Sequence, residues 1–287
     1  MYAVVYFACA DDGIGKFDRS MLSQQELMEL FIFGLNKPEK ICGNRDDPDD
    51  VCEWKGVKCN AGGEVEHFWW TDKDEYGTGT VEFEFLPCSM KTLRMFSNAL
   101  SGTVQLADLP GKIEVVYLYH NQLTGSLDLD SLPATVQRLG LRGNKFTGEI
   151  SLENLPKRLE YLALSNNQLS GTICLISLAP ALKLLNLGKN NFEGSLDFTR
   201  LPASLRLIYL LDNRFSGTVD LRNLPESIKS LYVGKNILSG TVRVPHGVRA
   251  VFDGNEHLTV ERIQEQAKIN RQQNDSKLQF ESLWKNA

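Results

Sequence analysis

Seven asparagines recur at a constant interval of 23 residues, and this spacing constrains the fold more than any other feature of the sequence. They are Asn98, Asn121, Asn144, Asn167, Asn190, Asn213 and Asn236. Seven glycines, each four residues after one of these asparagines, keep the same interval from Gly102 to Gly240. A fixed period of about 20 to 50 residues is typical of solenoids, in which each unit forms one coil. The sequence therefore predicts a repeat protein.

Within a repeat, inward and outward residues alternate just before the asparagine. Ile208 and Leu210 alternate with Tyr209 and Leu211, which is the period of a β-strand. One strand of about five residues cannot bury its apolar side alone, so successive coils must stack. Each repeated glycine suits a backbone with a positive φ. The alternation of residues after the glycine predicts a second short strand on the opposite side of the coil, and this strand ends near a Leu-Pro pair.

The aligned repeats read L-P-x-x-L-x-x-L-x-L-x-x-N-x-L-S-G-T-V-x-L-x-x, from Leu86 to about Val244. This pattern resembles the leucine-rich repeat family, and its L-x-L-x-x-N-x-L-S-G core is most similar to the plant-type class. The resemblance implies a horseshoe solenoid of the α/β class that is mostly β, with a parallel sheet on its concave face and short second strands opposite. It also implies that the seven asparagines form a ladder, in which each side chain satisfies backbone groups of its own coil and a neighbour.

We divide the chain into three parts. Residues 1–85 form an N-terminal extension and a helical, cysteine-containing cap. Residues 86–258 hold seven 23-residue repeats and a shortened terminal coil, and residues 259–287 form a C-terminal helical cap. Caps are expected because an open solenoid exposes its last apolar layer.

Both caps carry helix signals. Ser23 and Glu26 have the spacing of a capping box ahead of apolar residues at helical intervals. Thr259–Gln273 contains neither Gly nor Pro and predicts a second helix, followed by a short helical turn over Lys277–Trp284. The N-terminal helix and the C-terminal helical segment would cover opposite ends of the solenoid.

The six cysteines allow several pairings that spacing does not choose between. The segment CEWKGVKC resembles the N-terminal cap of plant-type extracellular leucine-rich repeat proteins and of similar protist proteins. That resemblance implies a disulfide between Cys52 and Cys59, while a bond between Cys42 and Cys88 is a weaker alternative. In a reducing compartment all six cysteines would be thiols packed as small hydrophobes.

No catalytic or metal-binding motif stands out. The sequence has no nucleophile elbow, phosphate-binding loop or His-Glu-x-x-His motif, and its four histidines are dispersed, so we predict no enzyme and no cofactor. A zinc site from Cys42, Cys52, Cys59 and His67 would fit no familiar ligand spacing. The acidic run from Asn44 lacks the glycine and terminal glutamate of a calcium-binding loop.

Charge is uneven along the chain. The net charge is −5, but residues 1–85 hold 8 basic and 18 acidic residues, and the remainder holds 23 basic and 18 acidic. The apolar start Tyr2–Ala10 is either a short export signal without a basic region or an arm that docks on the cap. No apolar run reaches the roughly 20 residues of a membrane span. Because no intact signal peptide is evident, an intracellular or organellar location is slightly favoured over secretion.

The outward positions of the repeat strands are the candidate site. The five positions around each strand hold 9 basic and 3 acidic residues, with five of the eight tyrosines. Tyrosine and arginine are favoured in binding hot spots, although strands favour tyrosine in any case and lysines keep an exposed sheet soluble. The predicted partner-binding residues are Arg94, Phe96, Tyr117, Tyr119, Arg142, Tyr161, Lys189, Tyr209, Tyr232 and Lys235.

The expected function is a non-catalytic protein interaction module, scaffold or assembly subunit that binds a protein with an acidic surface. The alternative is a secreted or cell-surface recognition protein, which the resemblance also implies and which an oxidised Cys52–Cys59 pair would favour. Nucleic acid is a less favoured partner, because the acidic N-terminal part would oppose it.

Overall fold

The computed structural model describes residues 21–73 and 77–262. Two helices, α1 (Gln24–Ile32) and α2 (Glu39–Cys42), come first. The strands that follow are β1 (Val57–Cys59), β2 (Val65–Trp69), β3 (Thr78–Gly79), β4 (Thr92–Arg94), β5 (Ala99–Leu100), β6 (Val115–Tyr117), β7 (Thr124–Gly125), β8 (Arg138–Gly140), β9 (Lys145–Glu149), β10 (Tyr161–Ala163), β11 (Gln168–Thr172), β12 (Leu184–Asn186), β13 (Asn191–Ser195), β14 (Leu207–Tyr209), β15 (Arg214–Gly217), β16 (Ser230–Tyr232), β17 (Ile237–Val244), β18 (Arg249–Val251) and β19 (His257–Arg262). Short 3-10 turns connect several of them.

The first sheet has ten strands in the order β1-β2-β4-β6-β8-β10-β12-β14-β16-β18. β1 pairs antiparallel with β2, and the other pairs are parallel. Leu162 aligns with Leu139 on one side and Leu185 on the other, so neighbouring strands are in register at the 23-residue repeat. The nine parallel strands correspond to nine coils, which confirms the predicted solenoid and its parallel sheet. One of them, β2, lies before Leu86, where the aligned repeats begin.

The second sheet runs along the opposite side in the order β19-β17-β15-β13-β11-β9-β7, and β3 pairs with β5 beside it. The strands β7, β9, β11, β13, β15 and β17 each include the repeated glycine of their coil, whereas β19 in the terminal coil contains no glycine. Gly171 has a φ of +81°, and a Cβ there would lie 2.6 Å from Cγ of Glu149 in the preceding coil. Glycine is therefore needed both for the turn and for close approach of the coils.

The core lies between the two sheets and is continuous along the solenoid. Leu162, Leu185 and Ile208 are completely buried behind the first sheet. Phe192 and Phe215 come from the second sheet, and their rings are stacked 6.4 Å apart. Each apolar side chain thus packs against its counterpart in the next coil, which no single coil could achieve.

The asparagines, which are buried or half-buried, form a column, here called the asparagine column, at the end of the first sheet. Nδ2 of Asn190 donates to the carbonyl oxygens of Leu187 in its own coil (3.0 Å) and Leu164 in the preceding coil (3.1 Å). Its Oδ1 accepts from the backbone N–H of Leu169, at 3.1 Å. Asn121, Asn144, Asn167, Asn213 and Asn236 make the same three contacts, and Asn255 adds an eighth member to the column. Asn98 differs, since it bonds the backbone of Trp70 and Lys73.

The two ends of the solenoid are built differently. α1 begins with a capping box, in which Ser23 N donates to Glu26 (2.8 Å) and Glu26 N donates to Ser23 Oγ (3.3 Å). At the other end, β19 pairs in parallel with β17 over six residues. The predicted helix is therefore wrong over Thr259–Arg262, because these residues satisfy the backbone groups of β17. The rest of that prediction, and the apolar start Tyr2–Ala10, lie outside the described residues.

The cap holds a disulfide between Cys52 and Cys59, with Cα atoms 5.6 Å apart. Cys42 and Cys88 are free thiols, so the alternative pairing is wrong. Cys42 is buried, and this burial raises the pKa of its thiol. Within the described residues, no helix is long and apolar enough to cross a membrane.

Candidate partner-binding face

The outward side chains of β2 and its parallel neighbours, with the residues that lead from each strand to its asparagine, form one surface, here called the strand face. Strand register arranges these side chains in columns. Trp69, Arg94 and Tyr117 occupy adjacent places in one column, and Tyr209 and Tyr232 lie further along it. Side chains in such a column are about 4.8 Å apart, close enough for rings to touch.

Four rings and one guanidinium form a contiguous group, here called the first ring cluster: Arg94, Phe96, Tyr117, Tyr119 and Tyr161. Phe96 and Tyr119 are stacked with centroids 4.3 Å apart. The ring centroid of Tyr117 lies 5.8 Å from that of Tyr119 and 6.2 Å from that of Tyr161. The guanidinium of Arg94 sits 5.6 Å from the centre of the Tyr117 ring, at cation–π distance. All four rings are half-buried.

Local backbone makes room for this cluster. Gly140 follows Tyr117 in the column, and a Cβ on Gly140 would lie 2.9 Å from Cδ1 of Tyr117. The Tyr117 ring therefore leans over the next strand, which brings it toward Tyr161. Burial among the rings raises the pKa of Tyr161 and of Tyr119, because a low-dielectric environment disfavours the charged phenolate.

A second group, here called the second ring pair, lies toward the C-terminal end of the strand face. Tyr209 and Tyr232 are stacked with centroids 4.7 Å apart and planes within 7°. Arg249 places its guanidinium 5.7 Å from the Tyr232 centroid. Arg249 is not among the ten residues predicted from the sequence, because it lies in the shortened terminal coil and not in a full repeat. The sequence feature that could have identified Arg249 is a basic residue at the start of the short strand Arg249–Val251.

Small and polar residues separate the two groups. Between Tyr117 and Tyr209, the column holds Gly140, Ala163 and Asn186. The structure therefore brings five of the ten predicted residues into one cluster and two more into the second pair, but it does not join the two groups.

The three remaining predicted residues carry charge. Arg142 is exposed on the coil after Tyr119, while Lys189 and Lys235 are exposed at the turns with φ of +57° and +52°. They lie at the edge of the strand face, beside the asparagine column. Arg94, Arg142, Lys189 and Lys235 form no ion pair within residues 21–73 and 77–262.

Three other basic residues of the strand face are already paired, whereas Arg206, Lys229 and Arg249 form no ion pair among the described residues. Lys91 bonds Glu66 at 2.7 Å, and Glu160 bonds Lys183 at 2.7 Å with Arg138 at 3.9 Å. The hydrogen bond from Lys183 holds the pKa of Glu160 below its usual value. The positive charge left for a partner is thus smaller than the residue count indicates. Arg94 and Arg142 lie near the first ring cluster, whereas Lys189, Lys235 and Arg249 lie in the later coils.

Aromatic residues of β2 at the start of the strand face were not predicted from the sequence either. His67 and Trp69 are stacked with centroids 5.6 Å apart, and burial lowers the pKa of His67. The signal in the sequence was the Trp69-Trp70 pair, which precedes the aligned repeats and so fell outside the pattern. Trp69 keeps 41% of its surface exposed.

The zinc alternative is wrong for this structure. Cys52 and Cys59 are bonded to each other and cannot act as thiolate ligands. Among the described residues, no group of three or more His, Cys, Asp or Glu side chains could hold a metal ion.

Comparisons with known proteins agree with this architecture. Residues 158–177 match the family model described as Leucine Rich Repeat. No curated protein matches the chain in sequence. Among solved structures, the plant peptide hormone receptor RGFR1 in complex with RGF2 is 22% identical with a TM-score of 0.55, over 65% of this chain and 32% of that chain.

Two further structures are similar. The structure of PEPR1 with AtPEP1 is 19% identical, with a TM-score of 0.56 over 83% of this chain and 42% of that chain. A plant ice-binding protein is 21% identical, with a TM-score of 0.51 over 84% of this chain and 97% of that chain. The chain thus spans less than half the length of the RGFR1 and PEPR1 chains. The in-register coils, the family match and these structures together show that the chain folds as a leucine-rich repeat solenoid.

Proposed function

We propose that this protein is a non-catalytic interaction module, acting as a scaffold or assembly subunit, whose protein partner docks on the strand face. The observation that carries the proposal is the first ring cluster with Arg94 and Arg142 beside it. Partly exposed rings next to guanidinium groups without carboxylate partners provide both apolar contact and charge for another surface.

The geometry of the rings favours binding. Phe96, Tyr119 and Tyr117 support one another on a rigid parallel sheet, so they lose little conformational freedom when a partner covers them. Burial of such rings at the centre of an interface is worth about 2 kcal/mol or more for each hot spot. The first ring cluster is therefore the proposed centre of the interface.

Charge favours an acidic partner. The guanidinium groups of Arg94 and Arg142 flank the rings, and Lys189 and Lys235 extend the positive potential along one edge. Unpaired surface charges mainly accelerate encounter and select partners, while the rings supply affinity. A nucleic acid would also be attracted, but the acidic N-terminal part of the chain, with 8 basic and 18 acidic residues over residues 1–85, opposes a phosphate backbone.

The disulfide favours a second candidate function, recognition of a ligand outside the cell or at its surface. A bond between Cys52 and Cys59 persists in oxidising compartments and is rare in the cytosol. The same strand face would then bind the ligand. Thiol labelling of protein from its native source tests this candidate: labelling at both cysteines without reductant contradicts it.

The main experiment is cross-linking with mass spectrometry in native material, followed by charge reversal. The variant changes Arg94, Arg142, Lys189 and Lys235 to Glu. Its matched control changes Lys145, Lys157, Arg200 and Arg214 to Glu, since these four are exposed away from the strand face. We expect the first variant to lose the cross-linked partner and the control to retain it. Equal retention by two folded variants would reject the strand face as the site.

A further inference from the structure

The C-terminal part of the strand face carries three neighbouring cations, here called the basic row: Arg206, Lys229 and Arg249. Backbone hydrogen bonds place them on successive coils. The N–H of Lys229 donates to the carbonyl of Arg206 at 2.8 Å, and the N–H of Arg249 donates to the carbonyl of Lys229 at 3.0 Å. All three side chains are exposed, beside the second ring pair. Strand spacing therefore places the three cations about 4.8 Å apart at the backbone.

The same edge of the strand face is balanced in the preceding coils. The N–H of Arg206 donates to the carbonyl of Lys183, and the ammonium group of Lys183 bonds Glu160 at 2.7 Å. The basic row forms no ion pair among the described residues, and neither does Glu226, the carboxylate nearest to it along the chain. Like charges on neighbouring strands destabilise a sheet, so carboxylates from another molecule would be favourable here.

The N-terminal cap carries the opposite charge in residues 44–50, here called the acidic loop. It contains one basic residue, Arg45, and four aspartates, Asp46, Asp47, Asp49 and Asp50. All four aspartates are exposed, and they form no ion pair within the part of the chain that the structure describes. The loop is therefore a surface of negative charge that the chain itself does not neutralise.

Hydrogen bonds fix the backbone of the acidic loop. The N–H of Asp49 donates to the carbonyl of Cys42 at 3.0 Å, and Nε1 of Trp54 donates to the Asp49 carbonyl at 2.8 Å. The carboxylate of Asp50 accepts from the N–H of Cys52 at 2.9 Å. A loop that is already ordered loses little conformational freedom when it docks.

The acidic loop and the basic row cannot meet within one chain. β14, which directly follows Arg206, lies six strand spacings from β2, or about 29 Å along the solenoid. The loop belongs to the cap, and Cys42 and Val51 at its two ends are buried there. A chain segment of this length between fixed ends reaches outward by at most roughly 15 Å. The two opposite charges can therefore meet only between molecules.

We propose that the basic row binds the acidic loop of a second copy of this chain, so that copies associate head to tail. Arg206 and Arg249 suit aspartate carboxylates, because a guanidinium can donate two parallel hydrogen bonds to one carboxylate. A contact between two different surfaces of the same chain is heterologous, and it produces a ring or an open series of subunits. The contact goes beyond the proposed function, since it leaves the first ring cluster open to another protein.

Nucleic acid is the other class of molecule that three cations could attract. Bases would need open ring faces on which to stack, but Tyr232 is stacked on Tyr209 and also contacts Arg249. Aspartates need only the charges of the basic row. Binding of nucleic acid there is therefore an outcome that the experiment must be able to report.

The experiment measures self-association of the full chain by sedimentation velocity over a range of protein concentrations, at about 50 mM and about 500 mM salt. We expect species of two or more copies at low salt. The association constant should fall about tenfold or more at high salt, because exposed charges are screened. A chain that stays monomeric at every concentration would overturn the proposal.

Two neutral variants locate the contact. The row variant changes Arg206, Lys229 and Arg249 to Gln, and the loop variant changes Asp46 and Asp47 to Asn. Each variant alone should associate about tenfold more weakly or less still. Mixed in equal amounts, the two should form a heterodimer and nothing larger, because such a pair retains one intact loop and one intact row.

The matched controls make the same charge changes at exposed residues outside the strand face and the acidic loop: Lys145, Arg200 and Arg214 to Gln, and separately Glu153 and Glu193 to Gln. Both controls should associate like the native chain. Circular dichroism checks folding, and the single changes Arg206→Gln and Lys229→Gln replace the row variant if it unfolds.

Three further results would overturn the proposal: equal association of the row variant and its control, no heterodimer in the mixture, or binding of an oligothymidylate at the basic row by a chain that stays monomeric. The variants leave Arg94, Arg142, Lys189 and Lys235 unchanged. The test of self-association is therefore separate from the test of the proposed function.

Discussion

The asparagine column and the strand face are built from the same coils, yet they follow opposite rules. In the column, Asn144, Asn190 and Asn236 repeat the same side chain, the same three hydrogen bonds and nearly the same burial. On the strand face, one register column instead runs through arginine, tyrosine, glycine, alanine and asparagine before it returns to tyrosine.

The difference separates what holds the coils together from what faces a partner. A buried amide whose donor and acceptor are both used cannot be exchanged without leaving a backbone group unpaired. An exposed position on a sheet has no such requirement, so its residue is free to meet another demand. Invariance within this chain thus indicates structure, and variation indicates where recognition is possible.

The largest expected effect is on the asparagine column. Asn190→Ala removes three donated bonds and one accepted bond, and leaves the N–H of Leu169 unpaired. We expect the free energy of unfolding to fall by about 3 kcal/mol in urea denaturation. Asn154→Ala, in an exposed loop, is the control and should change it by less than about 0.5 kcal/mol. Similar values for both would contradict the structural role of the column.

The second largest effect on stability is expected from the disulfide between Cys52 and Cys59. Cys52→Ser opens a short covalent loop, and we expect a loss of about 2 kcal/mol by the same measurement. The matched control is Cys88→Ser, at an exposed free thiol, which should be nearly neutral. Reductant should lower the free energy of unfolding of the native chain but not that of Cys52→Ser. Equal effects of reductant on the two proteins would show that the disulfide does not contribute to stability.

Substitutions on the strand face should weaken partner binding more than they lower stability, whereas substitutions in the asparagine column should mainly lower stability. Tyr119→Ala removes a half-buried ring, and we expect a loss of only about 1 kcal/mol in stability but about 2 kcal/mol, near thirtyfold, in partner affinity. Tyr209→Ala is the comparison, because it lies in the second ring pair, separated from Arg94 and Arg142. A larger affinity loss for Tyr209→Ala would move the centre of the interface to that pair.

The smallest effect concerns charge on the strand face. The pKa of Glu160 is lowered by Lys183, so this pairing contributes above the unfolded-state pKa and is lost as pH falls through the folded-state pKa. Lys183→Ala should raise the pKa of Glu160 toward its ordinary value in an NMR titration. Arg206→Ala is the control, since Arg206 is exposed on the next strand of the same face. An unchanged pKa in the Lys183 variant would show that the ion pair does not persist in solution.

The repeat spacing predicted the solenoid well, but the ends less well. Asn98 to Asn236 marked each full coil because a coil cannot change its length without losing register with its neighbours. The coil that contains β2 was not recognised as part of the sheet, since position 75 holds a glutamate instead of the repeated asparagine, although Gly79 keeps the 23-residue interval to Gly102. Thr259–Arg262 has a helical composition, but β17 offered an unpaired edge, and the hydrogen bonds of that edge outweighed a weak local propensity.

The candidate site was predicted only in part, for a similar reason. Alternation along each strand showed that Tyr117, Tyr119 and Tyr161 point outward, but it did not show which rings touch. The lean of Tyr117 over Gly140, and the contact of Arg249 with Tyr232, depend on the packing of neighbouring coils.

The sequence by itself determined the period, the inward side of each strand and the column of asparagines, because these follow from local alternation and from a repeat that every coil must share. Only the tertiary structure decided which outward side chains meet, which charges are already paired and which row of cations is left without carboxylates. Those features depend on distances between residues that lie one or more coils apart in the chain, and a one-dimensional pattern carries no such distances.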